Sequence, residues 1–261
     1  MFMNKSSGQK NLSVCLSGGG TRGAVHLGVL QYLFDHGYRV RAISGTSIGS
    51  LLGGLIAAGH TPQQVLNLML HEDIRKLFIP VGKINRGLFA PRKIRELLEQ
   101  KIPDNDFSAL KIPFYSCAVN LRKGEAVIFG KGTVHDKILA SISIPLLFKP
   151  VNIDGDDYVD GGVMNNLPVE PLLDKGYPIL GVHVNNYVFR KIETGKEIFR
   201  RVMQLLIRQS VNRNKEHCDI FIEPVLEREY ALFDLKVAGE LFEIGYRAAE
   251  EALGTEETKE T

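Results

Sequence analysis

The chain alternates short apolar runs with longer runs whose apolar residues recur at helical spacing. Residues 12–16 (LSVCL) predict a buried strand, and a glycine loop separates them from a helix that Gly37 ends. The run RVRAISG predicts the next strand, and SIGSLLGGLIAAG predicts the next helix. The apolar stripe of the first helix is Val25, Leu27, Leu30, Leu33 and Phe34. This βαβα order over 12–59 favours a parallel sheet with a right-handed crossover.

Two later segments predict β-hairpins. FYSCAVNL and EAVIFG are joined through Lys123-Gly124, and VNIDGDDYVDGG turns at Asp154-Gly155. The outgoing strand of the second hairpin delivers Asp160 to a Gly-Gly loop. The remaining predicted helices are TVHDKILASIS, EIFRRVMQLLIRQSVN and ELFEIGYRAAEEAL, and the remaining strands are YPILGVHV and CDIFIEP. We therefore expect one α/β domain over 1–261, with flexible ends at 1–10 and 254–261.

The segment 72–101 differs from this alternation. It contains eight basic and four acidic residues, with apolar residues such as Phe78 and Phe89 between them. One interpretation is a cap that packs on the core and turns a basic face to solvent. The other is a flap over the active site that also contacts anionic lipid headgroups.

Composition and charge narrow the protein class. The chain is 44% apolar, and its 32 basic and 30 acidic residues leave a formal charge of +2, which gives no overall field for attracting nucleic acid. The three cysteines, Cys15, Cys117 and Cys218, show no CxxC spacing, as expected in a reducing compartment. The first eleven residues lack a signal-peptide core, and the longest weakly polar run, 47–59, is too short to span a bilayer. These features predict a cytoplasmic protein without a nucleic-acid partner, whose membrane contact is at most peripheral.

The glycine loop SGGGTRG (17–23) lies between the first strand and the first helix. Gly18, Gly20 and Gly23 fit the dinucleotide-binding spacing, but that site needs an acidic residue about 20 positions later, where Arg39 and Arg41 stand instead. A 2′-phosphate on the ribose could meet these arginines, whereas a P-loop is excluded because no Gly-Lys-Ser/Thr follows. The other use of such a loop is an oxyanion hole, because backbone N–H groups and the helix N-terminus stabilise a developing negative charge. Arg22 would then anchor the loop or contact a phosphate.

The stretch GTSIG (45–49) places Ser47 between a strand and a helix. Flanking Gly45 and Gly49 relieve the crowding of a strained nucleophile elbow at such a turn. GxSxG alone is a weak pattern, and a turn serine that caps a helix remains the alternative. The glycine loop at 17–23, one βα unit earlier, supports the interpretation of Ser47 as a nucleophile.

A serine nucleophile needs a base, and two arrangements are open. Ser47, Asp160 and either His183 or His217 follow the chain order of an α/β-hydrolase triad, although only one strand precedes the serine's own strand here. Alternatively, Asp160 accepts the proton directly. A carboxylate with an ordinary pKa of about 4 is a poor base for a hydroxyl, so this arrangement requires burial or concerted proton transfer. His26, just beyond the glycine loop, could support that loop.

The acidic cluster from Asp154 to Asp160 also raises the question of a calcium site. An EF-hand loop that begins at Asp154 would need a polar ligand at 158 and glycine at 159, but Tyr158 and Val159 stand there, and Asn165 replaces the closing glutamate. A hairpin turn exposed to solvent fits better, so no metal site is predicted.

Taken together, four motifs resemble the patatin-like phospholipase family. They are LSGGGTRGAVHLGVLQYL, GTSIGSLLGGLIAAG, ASISIP (140–145) and DGGVMNNLP (160–168), in the family's order and at comparable spacing. The likeness covers about 12–185 and is greatest to compact bacterial members and lysophospholipase domains. Ser17 stands where many relatives have an acidic residue.

The resemblance implies a three-layer α/β/α sandwich with a mostly parallel central sheet and a Ser–Asp dyad without histidine. Ser47 would be the nucleophile, and Asp160 of the Asp160-Gly161-Gly162 motif its base. The oxyanion hole would comprise Gly18, Gly19, Gly20, Thr21 and Arg22. The expected reaction is hydrolysis of a phospholipid or other acyl ester through an acyl-serine, with no cofactor. Acyl transfer, or lipid binding without turnover, remains an alternative, and the oligomeric state is not predicted.

Overall fold

The computed structural model describes residues 10–70, 91–186 and 192–254. Nearly all of the predicted flexible ends at 1–10 and 254–261, and most of the predicted cap or flap at 72–101, lie outside these ranges. The strands are β1 (Asn11–Leu16), β2 (Arg39–Thr46), β3 (Phe114–Asn120), β4 (Glu125–Phe129), β5 (Val151–Ile153), β6 (Asp156–Asp160), β7 (Ile179–Val182) and β8 (Ile220–Ile222). The helices are α1 (Ala24–Asp35), α2 (Ile48–Ala57), α3 (Pro62–Leu70), α4 (Pro91–Lys101), α5 (His135–Ser141), α6 (Gly195–Asn214) and α7 (Ala238–Leu253).

The strands form one mixed sheet in the order β5-β6-β3-β2-β1-β7-β8, with β4 paired to β3 as well. The five strands from β3 to β8 in this order are parallel, whereas β4 and β6 run antiparallel to β3. The prediction of a mostly parallel α/β sheet is therefore confirmed. Both predicted hairpins form, and the second turns at Asp154 and Gly155, both of which have positive φ.

Side chains of β1 alternate between two apolar layers on opposite faces of the sheet. Leu12, Val14 and Leu16 join the larger core, which contains α1, α2, α3 and α7. Cys15 points to the smaller core, which includes Val211 of α6. Because successive residues of a strand face opposite sides, one short apolar strand serves both layers. The sheet is thus covered by helices on both faces, as the three-layer prediction requires.

Helix α1 is buried more completely than its predicted stripe indicates. Every residue from Ala24 to Leu30 is buried, whereas Phe34 at the end of the stripe is 38% exposed. The reason is α7, which packs closely against α1 and covers Gly28, a residue outside the predicted stripe. Their backbones approach closely at two glycines: a Cβ at Gly28 would lie 1.9 Å from the Phe242 carbonyl oxygen, and one at Gly245 would lie 2.1 Å from that of Val25.

The register of β3 brings two strand ends together. The end of β2 pairs with Cys117, and the end of β6 pairs with Ala118. Since β4 occupies the other edge of β3 along both stretches, β2 and β6 share one edge of β3 and approach each other from opposite directions. Their carboxyl ends, Thr46 and Asp160, therefore meet at neighbouring positions of β3.

The described end of the 72–101 segment is α4. Its Ile94 and Leu98 are fully buried in the larger core, and Arg95 pairs with Asp136 at 2.5 Å. This end therefore packs onto the body of the protein. Within the described parts of the chain, no helix combines the length and apolar character needed to cross a bilayer.

Candidate active site

Ser47 lies at the turn from β2 into α2 with a strained backbone. Its φ of 54° and ψ of −124° lie where residues other than glycine are uncommon. A Cβ at Gly45 would lie 2.4 Å from the Gly49 carbonyl oxygen, and one at Gly49 would lie 2.4 Å from that of Leu16. Both positions therefore require glycine. The strain and its relief by these glycines are those of a nucleophile elbow.

Asp160 contacts Ser47 directly. Ser47 Oγ donates a hydrogen bond of 2.5 Å to Asp160 Oδ2, and the Gly162 N–H donates one of 2.7 Å to Oδ1. Asp160 is only 5% exposed, and this burial raises its pKa to about 6, although the two hydrogen bonds partly oppose the rise. The structure thus supplies the burial that sequence reasoning required of a carboxylate base.

The backbone N–H groups of the glycine loop fall into two sets. Some are hydrogen-bonded within the protein, and others have no acceptor among the described residues. Gly18 N–H donates to Asn166 Oδ1 at 3.1 Å, and Thr21 N–H donates to the Leu232 carbonyl at 2.8 Å. In the part of the chain that the structure describes, the N–H groups of Gly19 and Gly20 have no acceptor. These two N–H groups are therefore available to a ligand.

The side chains of Arg22 and His26 hydrogen-bond to backbone carbonyls of the glycine loop. Arg22 is buried, and its Nε donates to the Gly19 carbonyl at 3.1 Å, so it acts as an anchor of the loop. His26 Nε2 donates to the Ser17 carbonyl at 2.8 Å. Burial lowers the pKa of His26 to about 4, so the ring is neutral and carries its proton on Nε2.

Neither histidine proposed for a triad hydrogen-bonds to Ser47. His183 lies just beyond the end of β7, not within the strand as predicted, and its Nδ1 contacts Glu223 Oε1 at 2.7 Å. His217 is exposed in a short 3₁₀ turn after α6. Because Ser47 Oγ already donates its proton to Asp160, the geometry favours the two-residue arrangement over the triad.

The two arginines considered as ribose-phosphate contacts in the dinucleotide interpretation lie far from the glycine loop. Arg39 and Arg41 lie in the first half of β2, near the edge of the sheet where the strand begins. The glycine loop lies at the opposite edge, so at about 3.3 Å per residue these arginines are more than ~15 Å away along the strand. In the acidic hairpin turn, for which no metal site is predicted, Asp156 pairs with Arg122 at 2.5 Å.

An apolar pocket extends from Ser47 and opens to solvent, and its empty space together with the solvent at its mouth is about 710 Å³. One wall is a row of α2 residues, Ile48, Leu51, Leu52 and Leu55. Helices α3 and α4 supply other walls, and the loop with Leu232 and Phe233 lies beside Gly20. No described residue that lines the pocket is charged. The pocket therefore suits an uncharged, chain-like ligand whose reacting group lies at Ser47.

Several positioning residues carried no recognisable signal of this role in the sequence. Ser141 Oγ accepts a hydrogen bond from the Ser47 N–H at 2.9 Å, and Asn185 Nδ2 donates to the Gly18 carbonyl at 2.6 Å. Ser141 and Asn166 do lie inside the motifs ASISIP and DGGVMNNLP, so the family resemblance marked their segments. The resemblance did not indicate their contacts, because these join residues about 90 to 170 positions apart in the chain.

Comparison with known proteins finds relatives that align with nearly two thirds of the chain. The chain is 31% identical over 170 residues to an uncharacterized NTE family protein of Mycobacterium tuberculosis, an alignment that covers 64% of this chain and 47% of that protein. It is 30% identical over 182 residues to the lysophospholipase NTE1 of Cryptococcus neoformans, covering 64% of this chain and 11% of the relative. The chain thus spans about half the length of the first relative and about a tenth of the second.

Structural and family comparisons extend the likeness. The structure of VipD from Legionella pneumophila matches 94% of this chain and 67% of its own, with a TM-score of 0.60 at 14% identity, which shows a shared fold. The patatin-like phospholipase family model matches residues 14–173, which is more than half of the chain. The four sequence motifs, the sheet that supports them and this match agree: the chain belongs to the patatin-like phospholipase family.

Proposed function

We propose that the protein is a serine lipid acyl hydrolase that uses Ser47 and Asp160 as a catalytic dyad. The observation that carries this proposal is the 2.5 Å hydrogen bond from Ser47 Oγ to Asp160 Oδ2 at one end of an apolar pocket. A nucleophile in contact with its base, next to unpaired backbone N–H groups, is the arrangement that acyl transfer requires.

In the first half-reaction, Ser47 Oγ attacks the ester carbonyl carbon while its proton passes to Asp160 Oδ2. The negative oxygen of the tetrahedral intermediate accepts hydrogen bonds from the N–H groups of Gly19 and Gly20. The oxyanion hole predicted for residues 18–22 thus narrows to these two donors, because the N–H groups of Gly18 and Thr21 are already engaged. The intermediate collapses to an acyl-serine, and the alcohol leaves with the proton from Asp160.

In the second half-reaction, a water molecule attacks the acyl-serine and gives its proton to Asp160. Collapse releases the carboxylic acid, and the proton returns to Ser47 Oγ. A pKa of about 6 suits both steps, because Asp160 is mainly ionised at neutral pH and is still a stronger base than an exposed aspartate. No metal or cofactor is part of this scheme.

The pocket supports a fatty acyl ester as the substrate class. An acyl chain would lie along α2 from Ser47 towards Leu55, and the alcohol or head group would remain at the mouth. Phospholipids and lysophospholipids fit this division between an apolar tail and a polar head. The name lysophospholipase given to the fungal relative points the same way. A peripheral contact with a membrane would bring such substrates to the pocket.

Labelling with a fluorophosphonate tests the dyad, because this reagent reacts only with an activated serine. We expect Ser47→Ala to abolish both labelling and hydrolysis of a nitrophenyl ester, and Asp160→Asn to lower both by about 10²–10⁴-fold. Ser108→Ala and Asp157→Asn alter an exposed serine and an exposed aspartate, and serve as matched controls that retain activity.

Two outcomes would contradict the dyad. Equal labelling of the parent and of Ser47→Ala would remove Ser47 as nucleophile. Loss of turnover in a folded His183→Ala or His217→Ala variant, with full activity in Asp160→Asn, would require a histidine base.

Release of free fatty acid from a phospholipid, measured beside the appearance of transferred acyl product when an alcohol is added, separates hydrolysis from acyl transfer.

A further inference from the structure

The first half of α6 extends beyond the sheet at the edge where Ser47 lies. This helix joins β7 to the parallel strand β8, so it runs antiparallel to both. Residues 208 and 210 already lie level with the carboxyl ends of the strands: Arg208 pairs with Glu223, just after β8, and Ser210 Oγ accepts from the Asn166 N–H at 3.1 Å. Residues 195–206 therefore continue past the strand ends, by up to ~20 Å at 1.5 Å per residue.

This extending half exposes an apolar face. Ile198, Val202, Leu205 and Leu206 recur at i, i+4, i+7 and i+8 and are 55%, 47%, 53% and 51% exposed. At 100° per residue, their stripe lies roughly 140° around the helix from the buried residues Ser210, Val211 and Asn214. The exposed face thus points away from the body of the protein, where a water-facing helix would normally have polar side chains.

Other exposed apolar side chains lie at the same edge of the sheet. Met164, four residues after Asp160, is 43% exposed, and Val225, just after β8, is 68% exposed. Leu146 is 81% exposed and has a φ of +72°, a strained conformation for leucine, between two residues that line the pocket, Ile144 and Phe148. Exposed apolar side chains therefore occur at this edge of the sheet outside α6 as well.

The charge of this segment is positive. The sequence of the extending half, 195–206, contains three basic residues and one acidic residue, whereas the whole chain is nearly neutral. A helix with an exposed apolar face and a local excess of basic residues is typical of proteins that bind at the interface of an anionic membrane.

We infer that the extending half of α6, with its stripe Ile198, Val202, Leu205 and Leu206, docks on the surface of an anionic phospholipid bilayer. The inference rests on the proposed function, since a lipid acyl hydrolase must reach substrate in a bilayer. The apolar face inserts between headgroups, the basic residues attract the anionic surface, and the edge of the sheet with Ser47 faces the lipid. This surface is separate from the segment 72–101, for which contact with lipid headgroups stays a prediction.

Vesicle sedimentation tests the docking surface separately from catalysis. Binding is measured in a Ser47→Ala background, so that the lipids stay intact, with vesicles of phosphatidylcholine alone or mixed with phosphatidylglycerol. We expect binding to increase with the phosphatidylglycerol fraction and to decrease with salt. Adding Ile198→Ser and Leu205→Ser should weaken binding by about tenfold or more, because two apolar anchors are lost.

The matched control replaces two exposed apolar residues at the opposite edge of the sheet. Phe34 lies in the last turn of α1 and Leu173 precedes β7, and they are 38% and 48% exposed. Phe34→Ser with Leu173→Ser should leave vesicle binding unchanged. The α6 pair, made with Ser47 intact, should still hydrolyse a soluble butanoyl ester at the parent rate, which shows that the fold and the reactive site persist.

Three results would overturn the inference. They are no vesicle binding by the parent, equal binding by the parent and the α6 variant, and equal loss of binding in the control variant. A parent dimer that the α6 substitutions dissociate, with vesicle binding unchanged, would assign the face to self-association instead. Vesicle binding without any ester hydrolysis would contradict the proposed function but not the docking surface.

Discussion

At the scale of single residues, the site depends on one buried carboxylate. Asp160 is isolated from solvent, yet it has a hydrogen bond at each oxygen, from Ser47 and from Gly162. Burial favours the neutral form, whereas the two donors favour the ionised form, and burial is the larger effect. In the proposed mechanism, a group balanced in this way accepts a proton during attack and releases it to the leaving alcohol.

The raised pKa of Asp160 predicts the pH dependence of activity. Asp160 acts as a base only when ionised, so kcat/KM should fall tenfold for each pH unit below about 6 and reach a plateau above it. An exposed aspartate would keep the plateau down to about pH 4. The measurement is the pH profile of nitrophenyl ester hydrolysis, with circular dichroism at each pH to show that the protein stays folded.

A histidine base would give a different result. His183 is buried, and this burial lowers its pKa. If His183 were the base, His183→Gln would remove its titration from the pH profile of activity. If the acid limb disappeared in that variant and persisted in an active Asp160→Asn variant, the limb would not belong to Asp160.

At the scale of elements, the contact between α1 and α7 fixes the base of the glycine loop. Helix α1 begins directly after the loop, and its His26 bonds the Ser17 carbonyl. Gly28 and Gly245 allow the two helix backbones to approach within the distance that a Cβ would occupy. This contact therefore couples the stability of the fold to the position of the glycine loop, which carries the proposed oxyanion donors.

Replacing Gly28 by alanine tests that contact. The added Cβ would lie 1.9 Å from the Phe242 carbonyl oxygen, so α7 must shift away, and we expect the free energy of unfolding to fall by about 2–4 kcal/mol. Urea denaturation measures this change. Gly239→Ala in α7 is the matched control: nothing lies within 4 Å of its Cβ, so it should stabilise by up to about 1 kcal/mol. Equal effects of the two substitutions would show that the helices are not closely packed.

At the scale of the whole molecule, the pocket is assembled from distant parts of the chain. Helix α2 brings Ser47 and one wall, α3 and α4 bring others, and the loop at 232–235 closes the side next to Gly20. Leu55 lies eight residues after Ser47 on α2, which corresponds to ~12 Å of helix. Its side chain is therefore placed to limit the length of an acyl chain that starts at Ser47.

Enlarging Leu55 should change the preference for chain length. We expect Leu55→Phe to reduce kcat/KM for a palmitoyl ester by about tenfold or more and to leave a butanoyl ester within about twofold, because only the long chain reaches this wall. Leu172→Phe, which enlarges a fully buried leucine of the smaller core, is the control for overpacking. Equal losses with both esters in Leu55→Phe would place the acyl chain elsewhere.

Local sequence patterns predict much of the fold, and the differences between these predictions and the structure have identifiable causes. Short apolar runs and apolar residues at helical spacing predict the alternation of strands and helices, and Gly37, Gly124 and Gly155 mark turns that the structure shows with positive φ. Helix α1 is buried on nearly all sides, whereas its sequence predicted one stripe, because the helix that covers it comes more than 200 residues later. The exposed face of α6 was missed, because periodicity shows an apolar stripe but not whether another element covers it.

The sequence by itself determined the local chemistry of this protein. Glycines at 45 and 49 follow from the tight turn around Ser47, and the order of the four motifs identified the family. Only the tertiary structure decided which groups meet: Asp160 touches Ser47 because β2 and β6 end at neighbouring positions of β3, and the Gly18 and Thr21 N–H groups are engaged by Asn166 and Leu232. The physical reason is that turn and helix preferences act over a few residues, whereas burial, pKa and contact depend on segments more than a hundred residues apart.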